Sequence, residues 1–248
     1  MDLGISGRTA AVAAASSGLG LATARALAAA GCRVAMCSRT AERIEAAAAT
    51  IEGDVVPIVA DVSTPDGARA FIEASVAALG SVDILVANGG GPPPGTFATT
   101  PEDAFASALD LNLRSVVAMC YAAIPPMQAR GWGRVVAITS ISVRQPIPYL
   151  ILSNTARAGV TGFLKTVALE VAKDGVTVNT IQPGSHLTPR LGNLDETALA
   201  DLAATIPAGT IGDPDDFGRC AAFLCSESAR YITGSSLHVD GGAYKALQ

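Results

Sequence analysis

The sequence predicts an α/β protein built on a doubly wound parallel sheet, and three observations carry that expectation. Short apolar runs alternate with Ala-rich segments of helical length along most of the chain. The runs are apolar at every position rather than at alternate ones, as expected of strands covered on both faces. The first run leads through small residues directly into a helical pattern, the connection of a βαβ unit.

The apolar runs fall at Thr9 to Ala14, Arg33 to Cys37, Val55 to Ala60, Ile84 to Ala87, Val135 to Thr139, Val176 to Ile181 and Leu237 to Val239, which gives a seven-stranded Rossmann-type sheet. Helices are expected at Leu19 to Ala30, Ala41 to Ile51, Pro65 to Leu79, Pro101 to Arg130 and Thr155 to Lys173, where Ala, Leu and Glu dominate. Pro65 and Pro101 each follow a threonine, which suits proline at the first helical position behind a Thr N-cap. From Ser185 to Asp213 the chain is rich in Gly, Pro and polar residues around one short helical stretch, Glu196 to Ala204, and reads as a mobile covering loop.

Half of the 248 residues are hydrophobic and 16% are charged, and no linker, repeat or charge run divides them, so residues 1–248 are expected to form one domain. A formal charge of -5 without a basic cluster argues against nucleic acid or an anionic membrane as partner. The apolar stretches are too short to span a bilayer and the N-terminus lacks the pattern of a secretory signal, so a cytoplasmic protein is expected. The five cysteines, at 32, 37, 120, 220 and 225, are odd in number and without C-x-x-C spacing, which suits reduced core thiols. Neither His186 nor His238 has a companion ligand at metal spacing, so no metal is expected.

Chemistry first shows at Ala13-Ala14-Ala15-Ser16-Ser17-Gly18-Leu19-Gly20, a small-residue turn opening a helix. Small side chains let the backbone approach a pyrophosphate, whose charge meets free N–H groups and the positive helix end. The turn is similar to Thr-Gly-x-x-x-Gly-x-Gly, with Ala13 and Ala14 in place of the Thr and first Gly. Val86-Ala87-Asn88-Gly89-Gly90-Gly91 resembles an Asn-Asn-Ala-Gly motif, and Pro183-Gly184-Ser185-His186-Leu187-Thr188 fits Pro-Gly-x-x-x-Thr. With these motifs in order from Gly7 to Val239-Asp240-Gly241-Gly242, the chain resembles the short-chain dehydrogenase/reductase (SDR) family, in particular its 3-oxoacyl-[acyl-carrier-protein] reductase branch.

That resemblance implies a nicotinamide cofactor held by Ala14, Ser16, Ser17, Gly18 and Leu19, by Asp61 and Val62 at the adenine, and by Asn88, Gly89 and Gly90 near the ribose. It also implies contacts to the carboxamide from Pro183, Gly184, the backbone of His186 and the Thr188 hydroxyl. About twenty residues past the turn, an NAD enzyme has an acid for the ribose 2'-hydroxyl. This chain has Ser38-Arg39 there, which favours NADP(H) over NAD(H) through a 2'-phosphate. Arg39 could also be a solvated start of the next helix, Asp61 a helix cap, and Asn88 a tie between strands.

The family catalyses with an Asn, a Ser, a Tyr and a Lys, and here only two of the four match. Asn112 and Ser140 fall in frame, whereas Ser153 stands at the Tyr position and Arg157 at the Lys position. Arg157 keeps positive charge beside the ribose but in a different shape, and a serine hydroxyl is too weak an acid to copy the phenol. Tyr149, one helical turn before Ser153, is the candidate displaced acid, or else a wall of the substrate pocket. His186 is a further candidate acid, or a packing residue.

The reading that follows is an NADP(H)-dependent oxidoreductase acting on a carbonyl/alcohol small molecule with a non-standard proton donor. Two alternatives stand beside it: a cofactor-bound non-redox enzyme (dehydratase, isomerase or cyclase), and an inactive NADP(H)-binding sensor or scaffold. The resemblance further implies a homotetramer, with a dimer as the alternative, built on the two long helices and the last strand.

Overall fold

The computed structural model describes residues 2–247. Seven strands, β1 (Thr9–Val12), β2 (Arg33–Ser38), β3 (Val55–Val59), β4 (Ile84–Ala87), β5 (Gly133–Ile138), β6 (Val176–Pro183) and β7 (Ser236–Val239), form one sheet in the order β3-β2-β1-β4-β5-β6-β7. Every neighbouring pair is parallel. The order reverses between β1 and β4, the place where an open α/β sheet presents a crevice beyond the C-terminal ends of its strands.

Helices α1 (Gly18–Ala29), α2 (Ala41–Ala48), α3 (Pro65–Leu79), α4 (Ala104–Leu109), α5 (Ser115–Arg130), α6 (Ile151–Val171), α7 (Glu196–Ala204) and α8 (Pro214–Leu224) complete the fold. The core is split by the sheet into two layers. On one face Phe71 and Ile72 of α3, Met119 and Met127 of α5 and Leu164 of α6 pack with Leu85, Val135 and Val178. On the other, Leu27 of α1, Ile44 of α2 and Phe217 of α8 pack with Val34, Ile84 and Ile181. Fully buried Phe217 illustrates the stake, since truncating such a side chain to Ala costs about 3–5 kcal/mol. Arg25 and Asp215 pair at 2.8 Å across α1 and α8.

The fold class is that expected, and several boundaries differ. Thr64 caps α3 as predicted, its Oγ1 accepting from the Gly67 amide with Pro65 in the first turn. Thr100 does not cap a helix: Pro101 to Asp103 form turns closed by Ala104 N–H to Pro101 and Phe105 N–H to Glu102, and α4 begins only at Ala104. The expected helix from Pro101 to Arg130 is also interrupted by a π-helical turn, Asp110–Arg114, before α5. Strand β1 stops at Val12 because the chain turns at Ala14, α2 ends at Ala48, and α6 starts at Ile151 rather than Thr155.

Helix α8 was not expected at all, although Asp213 caps it by accepting from the Asp215 amide and Pro214 fills its first position. Within residues 185–213 the short helix expected at Glu196 to Ala204 is α7 with the same bounds, and a 3-10 turn at Pro189–Leu191 and a parallel bridge between His186 and Gly212 add order beyond a covering loop. The five thiols are unpaired, four of them buried, and burial drives Cys37 and Cys120 up to about 12. Among the described residues, no helix is long and apolar enough to cross a membrane.

Candidate active site

The C-terminal ends of β1, β2, β4, β5 and β6 bring most of the expected residues to one edge of the sheet. After β1 the ladder continues briefly, the Ala13 amide donating to Val86 and the Ala15 amide to Cys37. Between them Ala14 takes a left-handed backbone, φ 49°, a conformation costing an L-residue about 1–2 kcal/mol. The steric demand for glycine at this turn therefore remains although the residue has changed. Gly18 (φ 58°) opens α1 behind Ser17, whose side chain makes no capping hydrogen bond, and the first turn holds no acid.

The cradle is also closely built. Asn88 donates from Nδ2 to the carbonyls of Ala13 and Ala14 at 3.2 and 3.1 Å, so it ties β4 to the turn. A Cβ at Gly20 would lie 2.6 Å from the Ala14 carbonyl oxygen and 2.7 Å from Asn88 Nδ2, which holds the helix start against the turn. A Cβ at Gly18 would lie 3.4 Å from Thr188 Cγ2, so Thr188 faces the start of α1. These features fit a bound dinucleotide: an uncapped helix start for the pyrophosphate and a backbone surface kept clear of side chains.

At the end of β2, Ser38 donates to the Thr40 carbonyl at 3.0 Å and Arg39 is exposed. Asp61 accepts from the Ser63 amide at 3.0 Å, which with the nearby Arg39 charge holds its carboxyl below the usual range; α3 takes its cap from Thr64 instead. Val62 is buried beneath it. Gly184 donates to the Val239 carbonyl, His186 Nδ1 lies 3.2 Å from the Gly184 carbonyl, and the His186 ring meets Phe217 edge-on at 5.1 Å. Burial first lowers the His186 imidazole below its usual value, so it stays neutral at pH 7 and is packed among neighbours.

The residues expected to form the catalytic frame lie on the other side of β4. Asn112 sits in the π-helical turn and donates from Nδ2 to the Gly90 carbonyl at 2.9 Å, with its Oδ1 buried and unpartnered. Ser140, extended at the exit of β5, accepts from the Ser142 amide at 3.0 Å. Ser153 and Arg157 are both buried on α6, one turn apart, and Arg157 Nη1 donates to the Ile138 carbonyl at 2.9 Å. Desolvation, then the charge of Arg190, lowers Arg157 to about 10, so the guanidinium keeps its proton at neutral pH.

Tyr149 stands apart from this group. It precedes α6 with φ 65°, and its side chain is 69% exposed. Its backbone pins the end of the Pro92-Pro93-Pro94 run that follows β4, since the Gly95 amide donates to the Tyr149 carbonyl at 2.6 Å. α6 starts four residues earlier than expected, and Tyr149 still precedes it, exposed to solvent where Ser153 is buried.

Four residues were overlooked in the sequence. Among the described residues, buried Ser142 Oγ, Asn154 Oδ1 and both amide atoms of Gln182 lack hydrogen-bond partners, and they lie at the exits of β5 and β6 and in the first turn of α6. Unpaired polar groups in such a place await water or a ligand. Arg190 is the fourth, and the signal was its position two residues past Thr188 in a stretch with no other charge from Ser185 to Leu194.

Known proteins share this fold. The sequence model of the enoyl-(acyl carrier protein) reductase family matches residues 13–244. The chain belongs to the short-chain dehydrogenase/reductase family. It is 33% identical to dehydrogenase/reductase SDR family member 4 of Bos taurus, over 97% of this chain and 88% of that protein. It is 32% identical to the 3-oxoacyl-[acyl-carrier-protein] reductase FabG of Escherichia coli (strain K12), over 96% and 98%. Among solved structures, L-sorbose reductase from Gluconobacter frateurii, complexed with NADPH and L-sorbose, superposes with a TM-score of 0.94 at 33% identity, covering both chains in full. YwfH, an NADPH-dependent reductase involved in bacilysin biosynthesis, superposes at 0.92 with 26% identity, over 98% and 100%.

Proposed function

We propose that this SDR protein is an NADP(H)-dependent oxidoreductase that interconverts a carbonyl and an alcohol, with Ser153 and Arg157 in place of the usual phenol and ammonium pair. One observation carries the cofactor choice: the exit of β2 presents exposed Arg39 and the Ser38 hydroxyl where an NAD enzyme has a carboxylate. NADPH in the structure of the sorbose reductase supports the same choice. Ser17, Gly18 and Leu19 would hold the pyrophosphate, Asp61 and Val62 the adenine, and Asn88 to Gly90 the ribose side. The bound cofactor supplies or accepts a hydride.

The residues of the chain must then handle charge on the substrate oxygen. Arg157, positive at neutral pH and poor in other contacts, stabilises that charge electrostatically. The Ser140 hydroxyl orients the same oxygen, and the Asn112 side chain fixes Gly90 beneath the cofactor. Ser153 cannot deliver a proton as a phenol does, so solvent supplies it at the mouth, where Tyr149 stands. Turnover in this reading changes nicotinamide absorbance with some carbonyl substrate. Turnover without that change would assign a non-redox role, and tight binding without turnover a sensor. Assembly as a tetramer or dimer is supported by Tyr121 of α5 and Leu169 of α6, 72% and 73% exposed.

The decisive variant is the double replacement Ser153→Tyr with Arg157→Lys. A gain in ketone reduction shows that the frame and pocket are those of a reductase, and no gain with intact NADPH binding argues against it.

A further inference from the structure

Two arginines at the C-terminal edge of the sheet have no counter-ion among the described residues. Arg157 comes from the floor, buried on α6 and anchored to the last carbonyl of β5, two residues before Ser140. Arg190 comes from the rim, exposed on the turn Pro189–Leu191, and lies so close to Gly91 that a Cβ there would collide with its guanidinium. Among the described residues neither arginine forms an ion pair, and the one charge that perturbs Arg157 is that of Arg190. Elsewhere in the molecule the buried arginine, Arg134, has Glu227 at 3.6 Å. Two like charges at the C-terminal edge of the sheet, one anchored at the end of β5 and one over Gly91 after β4, leave a place for an anion.

We propose that Arg157 and Arg190 together recognise an oxyanion, and that it is a free carboxylate on the carbonyl substrate. This rests on the oxidoreductase reading above and narrows its substrate class to oxo- or hydroxycarboxylic acids. A guanidinium presents a planar fork matched to a carboxylate, and a second one from the rim closes over the same group. The 2'-phosphate has its own partner in Arg39, at the far end of the cleft. The pyrophosphate is the competing oxyanion, because Thr188, two residues from Arg190, touches the start of α1. Arg157 favours the substrate, since it is anchored to Ile138, two residues before Ser140, and not at the start of α1.

The test uses the full chain saturated with NADPH, titrated calorimetrically with 2-oxo, 3-oxo and 4-oxo carboxylates of increasing chain length, each beside its methyl ester. At least one acid binds ~10-fold or more tightly than its ester. Arg190→Gln brings that acid to within about threefold of the ester, Arg190→Lys retains part of the preference, and NADPH affinity changes less than about threefold in both. Gly91→Ala, which crowds the guanidinium out of its seat, moves the preference in the same direction as Arg190→Gln. Equal binding of acids and esters, or binding by neither, overturns the proposal. So does an Arg190→Gln protein that loses NADPH affinity as steeply as acid affinity, because the oxyanion is then the pyrophosphate. Failure of the wild type to bind NADPH at all sinks the oxidoreductase reading instead, and the acid and ester titration without cofactor still decides whether the arginine pair holds a carboxylate.

Discussion

The two ends of β5 place an arginine in opposite circumstances. At the entry, Arg134 is buried yet fully engaged: it donates to the Gly133 carbonyl at 2.9 Å, reaches the Ser226 and Gly175 carbonyls, pairs with Glu227 at 3.6 Å, and stacks over Trp132 at 4.3 Å. At the exit, Arg157 is equally hidden but has one carbonyl and a repelling neighbour. A buried charge that is surrounded by acceptors belongs to the architecture; one that is left short of partners is held ready for something else. The difference follows the general division of an open α/β sheet, with stability at the N-terminal edge and ligands at the C-terminal edge.

Paired substitutions break or sharpen this contrast. Arg134→Met should destabilise the protein by about 2–4 kcal/mol, because three carbonyls and Glu227 lose their donor, and should leave NADPH affinity unchanged in the variant that folds. Arg157→Met should do the reverse, raising the stability of the cofactor-free protein by about 1–3 kcal/mol while weakening binding of the carboxylate substrate ~10-fold or more. Chemical denaturation and calorimetry read both. If the two variants shift stability in the same direction, the distinction between the ends of β5 fails.

Activity gives a second handle. Arg157 is held at about 10, so it is charged below that pH and neutral above it. Turnover at saturating cofactor should hold through the neutral range and fall as pH rises through about 10. A rate that instead rises with pH across that range would remove the positive charge from the mechanism. His186 acts in the opposite region and more weakly. Its folded-state value lies below that of the unfolded chain, so its contribution to stability is complete above the ordinary imidazole value and lost as pH falls. His186→Asn should therefore flatten the acid side of the melting curve, checked by thermal melts from pH 7 to about 5.

The smallest effect concerns Ala14. Replacement by glycine relieves the left-handed backbone at an entropic cost in the unfolded chain, for a net gain of about 0.5–1 kcal/mol. A loss of stability on Ala14→Gly would mean that the turn is not strained.

The scaffold was legible because its signals are redundant. Seven apolar runs needed no exact ends, and the Thr64-Pro65 start of α3 is local chemistry that any context permits. The same pair at Thr100-Pro101 misleads because the chain spends three residues in turns before α4, while the equivalent Asp213-Pro214 signal for α8 was present and passed over. The π-helical turn that sets Asn112 against Gly90 has no local sequence mark. Asn112, Ser140, Ser153 and Arg157 could be placed by spacing. What spacing could not reveal is that Arg157 lacks a counter-ion, that Arg190 reaches Gly91 from a separate loop, and that Tyr149 turns outward, for each depends on contacts between distant segments.

Titration of NADPH and NADH into the folded wild type and into Arg39→Ala tests the central claim most directly. NADPH should bind ~10-fold or more tightly than NADH, and the Arg39→Ala protein should lose most of that preference while retaining its affinity for NADH. No detectable binding of NADPH, or a preference for NADH in the wild type, would contradict the account.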